Sequence, residues 1–96
     1  MFSALVQFEV KKQAIDQALV LVRDFVNHVR SNEPETLFYH CIQSEDNPCE
    51  FVLMMAFANE AAEERHQESE KSEDFGEKLL LLCTKDPEHQ LFSTVI

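Results

Sequence analysis

Tryptophan is absent and glycine occurs once, at Gly76. A single glycine excludes every Gly-rich phosphate loop, both the P-loop and G-x-G-x-x-G. Basic residues are scarce too: eight Lys and Arg face eighteen Asp and Glu, for a formal net charge of -10. Such a surface repels nucleic-acid backbones and anionic bilayers, so neither is an expected partner. Long apolar runs are missing. The longest, Phe51 to Ala58, holds eight residues, and Ala18 to Val22 and Leu79 to Cys83 hold five each, all far short of the ~20 that a membrane span requires. The start, Met1-Phe2-Ser3-Ala4-Leu5-Val6, has no basic segment and no small-residue cleavage site, so no secretory signal is expected. Three cysteines, an odd number, suit reduced thiols in the cytoplasm better than a disulfide framework. The histidines His28, His40, His66 and His89 fall in separate elements without paired ligand spacing, and neither Cys41 nor Cys49 has a C-x-x-C companion. No metal and no cofactor site is therefore expected.

What is present is ordinary globular composition, 45 % hydrophobic and 27 % charged, and 96 residues accommodate a single domain spanning 1–96. A chain this small buries only about two thirds of its unfolded surface, so a second copy covering one face would help it. Residues Ser3 to Val10 alternate as a strand, with Ala4, Val6, Phe8 and Val10 on one face. From Lys11 the period changes: Ile15, Leu19, Val22, Val26 and Val29 form a helix stripe that ends before Pro34. Thr36 to Ser44 and Glu50 to Phe57 read as a hairpin about the Glu45-Asp46-Asn47-Pro48 turn. With that turn centred near Asp46-Asn47, Cys41 falls opposite Val52 and Cys49 opposite Ser44, too offset for a disulfide. Asn59 caps a helix to about Ser69, and a second cap at Ser72 opens another that Asp86-Pro87 stops; Leu91 to Ile96 is a final strand.

The order β-α-β-β-α-β, with its second helix split near Glu70 to Ser72, implies an α+β, ferredoxin-like domain: a four-stranded antiparallel sheet with helices on one face. The other face carries Leu5 and either Leu37, Tyr39 and Cys41 or Phe38, His40 and Ile42. Either set is apolar enough to favour a homodimer packed sheet on sheet over a monomer.

Topology alone does not choose a function. The stretch Arg30-Ser31-Asn32-Glu33-Pro34-Glu35-Thr36-Leu37-Phe38-Tyr39 is followed by Asp46-Asn47-Pro48, by Glu50 to Phe57, and by Ala62 with His66 and Ser69. It resembles the antibiotic biosynthesis monooxygenase (ABM) family of dimeric α+β barrels, whose pattern runs Arg-x-x-Glu-Pro-Gly-x-x-x-Tyr, Asp-x-Pro, a strand, then Ala-x-x-x-His-x-x-Ser. Three positions depart from it: Glu35 replaces the turn glycine, Met55 a frequent acidic residue, and Phe57 the common Trp.

The resemblance implies a cofactor-independent monooxygenase acting on a small aromatic or quinol-type substrate whose own anion reacts with oxygen. His66 would then be the catalytic base, and Tyr39 would donate its hydroxyl to the resulting oxyanion. Against these stand plainer roles: His66 as a surface residue in the charged run Glu63 to Glu68, and Tyr39 as a stacking strand aromatic. Phe57, Phe8, Phe25 and Phe75 could bind the substrate's ring, or be core. His40, beside Tyr39, must point to the opposite face. Glu33 reads as part of the turn that ends the helix, and the carboxylates from Glu63 to Asp74 as a solvated face.

Three other functions remain in view. A non-catalytic ligand-binding or regulatory dimer would keep the fold without the chemistry. Haem degradation, as the family suggests it, wants a first-strand Asn and a third-strand Trp, both missing. Isomerisation of a phosphorylated sugar-like signal would need a cation near the cleft, for which Arg65, Arg23 and Arg30 are the only candidates.

Overall fold

The computed structural model describes all 96 residues. Strand β1 (Phe2–Glu9) leads through a 3-10 turn (Lys12–Ala14) into α1 (Ile15–Asn32). Strands β2 (Thr36–Gln43) and β3 (Glu50–Phe57) form the hairpin, α2 (Glu60–Glu68) and α3 (Glu70–Leu82) follow, and β4 (Glu88–Ser93) closes the chain. The sheet has the order β2-β3-β1-β4, all neighbours antiparallel. This is the ferredoxin-like α+β arrangement expected from the element order. No helix is long and apolar enough to cross a membrane.

The alternation in β1 buries Ala4, Val6 and Phe8, while β3 contributes Phe51, Leu53, Met55 and Phe57 to the same face. The α1 stripe, with Ala18, Val22, Phe25, Val26 and Val29 buried, closes over them beside Phe75 and Leu79 of α3. Arg30, at the end of α1, donates from Nε (3.2 Å) and Nη2 (2.9 Å) to the Tyr39 carbonyl. Because β2 is an edge strand, that carbonyl has no neighbouring strand to satisfy it on this side, and the guanidinium ties helix to edge.

The two registers left open for β2 resolve one way. A register shift between Thr36 and Phe38 turns Tyr39 inward, 3 % exposed, and leaves Phe38, His40 and Ile42 on the outer face. The Phe38 and His40 rings stack there at 4.2 Å. Across the outer face, Phe38 aligns with Ala56, Ser3 and Phe92, and His40 with Met54, Leu5 and Gln90.

Three details differ from the sequence expectation. The hairpin pairs Cys41 with Leu53, one residue from the expected Val52; all three thiols are free. The joint between α2 and α3 falls at Ser69, not at Ser72. Ser69 is extended (φ -66, ψ 147), and its hydroxyl accepts from the Ser72 backbone N–H at 3.1 Å, so one serine stops α2 and caps α3. The last strand is Glu88–Ser93 and not Leu91 to Ile96, because pairing with β1 starts at Gln7↔Glu88 and ends at Phe2↔Ser93.

Gly76 sits inside α3 with no positive φ, and a Cβ built there meets nothing within 4 Å. Its only effect on stability is therefore the backbone entropy of a helical glycine. Gly76→Ala is expected to stabilise the chain by about 1 kcal/mol, a rise of roughly 4–8 °C in the Tm read by circular dichroism.

Candidate functional site

Between α1, α2 and α3 and the inner sheet face lies a cavity of about 370 Å³. Its floor is apolar, formed by Val6, Leu53 and Met55 of the sheet with Phe25, Phe75 and Leu79 of the helices. His66 and Tyr39 both line it.

His66 reaches it because Asn59 fixes the start of α2: its side chain accepts from the Ala62 N–H at 2.9 Å, which sets the helix phase so that Ala62, Glu63 and His66 turn inward. Although it lies in a run of charged residues, His66 is only 5 % exposed. Its ring meets Tyr39 at 5.4 Å, Phe57 at 5.3 Å and Phe25 at 5.9 Å between centroids. His66 Nδ1 lies 2.8 Å from Glu33 Oε1, and the Thr36 hydroxyl donates to the same oxygen at 2.8 Å. With a carboxylate as its neighbour, Nδ1 carries the proton in the neutral ring, which leaves Nε2 as the acceptor. Nε2 has no partner in the chain, and no buried side-chain nitrogen or oxygen is left unpaired. It therefore opens on free space. The Tyr39 hydroxyl likewise has no partner in the chain and is not sealed off from solvent.

Glu33, on the connection before β2, is the residue that sequence reasoning set aside as part of a turn. Its partner is 33 positions away; no local pattern reports a contact of that range. Met55, where the resemblance leads one to expect an acidic residue, lies in the cavity floor and supplies no proton-carrying group.

The phenylalanines separate. Phe25 and Phe75 stack at 4.1 Å with planes 4° apart, and Phe25 meets Tyr39 edge-on at 5.8 Å. Together they form an aromatic wall. Phe57 is fully buried behind the His66 ring and does not open on the cavity. Phe8 is elsewhere: it stacks on Phe51 at 5.3 Å and lines a different cleft with Gln7, Glu9 and Glu50. The three arginines weighed for a phosphate do not line the cavity. Arg65 pairs with Glu35 on the outside of α2, while Arg23 and Arg30 line a separate cleft between α1 and β2. No three or more His, Cys, Asp or Glu side chains converge as a ligand set for a metal ion.

Burial is the main cause that drives the Tyr39 hydroxyl well above its ordinary pKa, with the Glu33 and Cys41 charges adding to it. Tyr39 is thus a proton-bearing donor throughout the working range. Burial likewise pushes the Cys41 thiol from 9.0 up to about 11. Both groups hold their protons more tightly folded than unfolded. As pH rises past 9.0 the unfolded chain releases the Cys41 proton first, and the folded state follows only near 11, so stability falls across that window. Urea titrations should show a midpoint that declines as pH rises through this range, with a shallower decline in Cys41→Ser.

The family model for antibiotic biosynthesis monooxygenases matches residues 1–78. Among solved structures, one described as an antibiotic biosynthesis monooxygenase is 26 % identical, with a TM-score of 0.92 and all of both chains covered. A Nitrosomonas europaea protein described with the same family name superposes at TM-score 0.91 with 18 % identity and full coverage of both chains. Rv0793 from Mycobacterium tuberculosis, 17 % identical, gives a TM-score of 0.91 over 99 % of this chain and 95 % of its own. No curated protein matches the sequence significantly. The family model spans both strands of the hairpin, Glu33, Tyr39 and the helix that carries His66: the chain belongs to the antibiotic biosynthesis monooxygenase family.

Proposed function

We propose that the chain is a cofactor-independent monooxygenase of a small aromatic or quinol-type substrate. The observation that carries this reading is the pairing of His66 Nδ1 with Glu33 at 2.8 Å, on a histidine that lines an aromatic-walled cavity together with Tyr39. In this reading His66 Nε2 takes a proton from a substrate hydroxyl or activated C–H. Glu33 keeps the ring oriented, and the Tyr39 hydroxyl donates to the oxyanion that forms. The anion then gives electrons to oxygen and forms a C–O bond. Cleavage of the O–O bond leaves one oxygen atom in the product and releases the other as water, with the substrate's own C–H and O–H bonds supplying the electrons.

The outer sheet face supports a homodimer packed sheet on sheet: Phe38 is 42 % exposed, Ile42 49 % and Phe92 40 %, a cluster that water wets poorly. Three free thiols suit a reducing compartment such as the cytoplasm. Oxygen-electrode measurements on the purified protein with a quinol panel test the enzyme reading. Uptake that is first order in protein supports it. Tight binding of a quinol that is recovered unchanged replaces it with a non-catalytic binding dimer.

A further inference from the structure

We infer that the mouth of this cavity discriminates among ligands by charge, favouring neutral or cationic aromatics over anionic ones. The inference rests on the proposed placement of an aromatic hydroxyl at His66 and Tyr39, and it concerns the other end of the same ligand.

The polar groups divide by depth. On the inner wall are Tyr39 and His66, residues only 3 % and 5 % exposed, whose hydroxyl and Nε2 have no partner in the chain. At the mouth are Gln67, Ser72, Glu73, Asp86 and His89. Glu73 and Asp86 come from different segments, α3 and the connection to β4, and both are solvent-exposed. No Lys or Arg lines the cavity. The nearby cations line other clefts or are paired: Arg65 pairs with Glu35, Lys78 pairs with Asp74 at 3.0 Å, Lys71 opens with Lys78 on the cleft between α1 and α3, and Lys85 opens on the cleft beside Phe8. A ligand tail leaving the cavity therefore passes two carboxylates and no permanent cation, on a chain whose formal net charge is already -10. About 370 Å³ holds one substituted ring with a short tail. With its ring hydroxyl held inside, such a ligand carries its tail to Glu73 and Asp86.

Two unit charges a few ångströms apart in a wet rim interact by about 0.5–1 kcal/mol each, so two carboxylates shift affinity by roughly tenfold. The phosphorylated-sugar reading meets the same obstacle, because a phosphate would lie against acids with no guanidinium or ammonium in reach.

The test is calorimetric binding under anaerobic conditions with ethyl-, aminoethyl- and carboxymethyl-hydroquinone, which share a ring and differ in the charge of the tail. We expect the carboxymethyl compound to bind about tenfold more weakly than the ethyl one, and the aminoethyl compound at least as tightly. Added salt should narrow the spread. In Glu73→Gln/Asp86→Asn, both at exposed positions, it should collapse to within about threefold. The inference is overturned if the anionic compound binds as well as the neutral one. It is equally overturned if the double variant keeps the spread, or if none of the three binds. Oxygen uptake is scored separately: binding with the expected spread but without turnover removes the monooxygenase reading and leaves charge selection standing.

Discussion

His66→Ala should lower quinol-dependent oxygen uptake by about 100- to 10,000-fold, the usual contribution of a positioned general base. The loss should appear in kcat more than in KM, because the imidazole contributes most when a proton is moving. Glu33→Gln is the informative companion. The carboxylate accepts from Nδ1 at 2.8 Å and from Thr36 at 2.8 Å, and so fixes which ring nitrogen is free. An amide at the same place can donate as well as accept, and in its donating orientation it moves the ring proton to Nε2, where it blocks base catalysis. A loss of at least tenfold, smaller than that of His66→Ala, is expected. Equal activity in all three proteins would show that His66 is only a wall of the cavity.

Phe57→Ala should carry the largest loss of stability, about 3–5 kcal/mol in urea unfolding. Phe57 is 0 % exposed and ends β3, where its ring meets His66 at 5.3 Å. Truncation removes the transfer energy of a whole benzyl group and leaves a void that surrounding strands cannot close. Against the roughly 5–14 kcal/mol typical of a domain this size, the variant should be partly unfolded near physiological temperature. Phe57→Leu keeps most of the volume and should retain the fold. It also leaves His66 less firmly backed, so its activity should fall more than its stability. Phe8→Leu, distant from His66 and packed on Phe51, should lose stability with little change in kcat.

Much of this architecture was written locally. The alternation of Ala4, Val6 and Phe8 and the stripe of Val22, Val26 and Val29 each bury the face that their period marks. Asn59 does cap α2. Boundaries were less legible where two serines competed: Ser69 and Ser72 are both good caps, and which one stops a helix depends on how α2 and α3 fold back on the sheet. The side of β2 was undecidable because Leu37, Tyr39 and Cys41 are about as apolar as Phe38, His40 and Ile42; a one-residue register shift chose between them.

Site residues were legible to the extent that the family pattern marked them. His66 and Tyr39 carried that mark, and they line one cavity. Glu33 carried it too, but as a turn residue, since the hydrogen bond that gives it chemical meaning exists only once α2 has docked. Phe8 and Phe25 look alike in sequence. Phe25, on α1, lies beside the cavity and Phe8 at the far end of β1, a difference set by place in the fold rather than residue type.

The most direct measurement is the ultraviolet difference spectrum of the anaerobic complex with ethylhydroquinone, in wild type and in His66→Ala. Without oxygen the reaction halts after proton transfer, so the spectrum isolates the step assigned to His66. A red-shifted hydroquinone-anion band in wild type, absent from His66→Ala at equal occupancy, is the predicted result. A bound ligand that stays neutral in wild type, or an anion band of the same intensity without His66, would contradict the account.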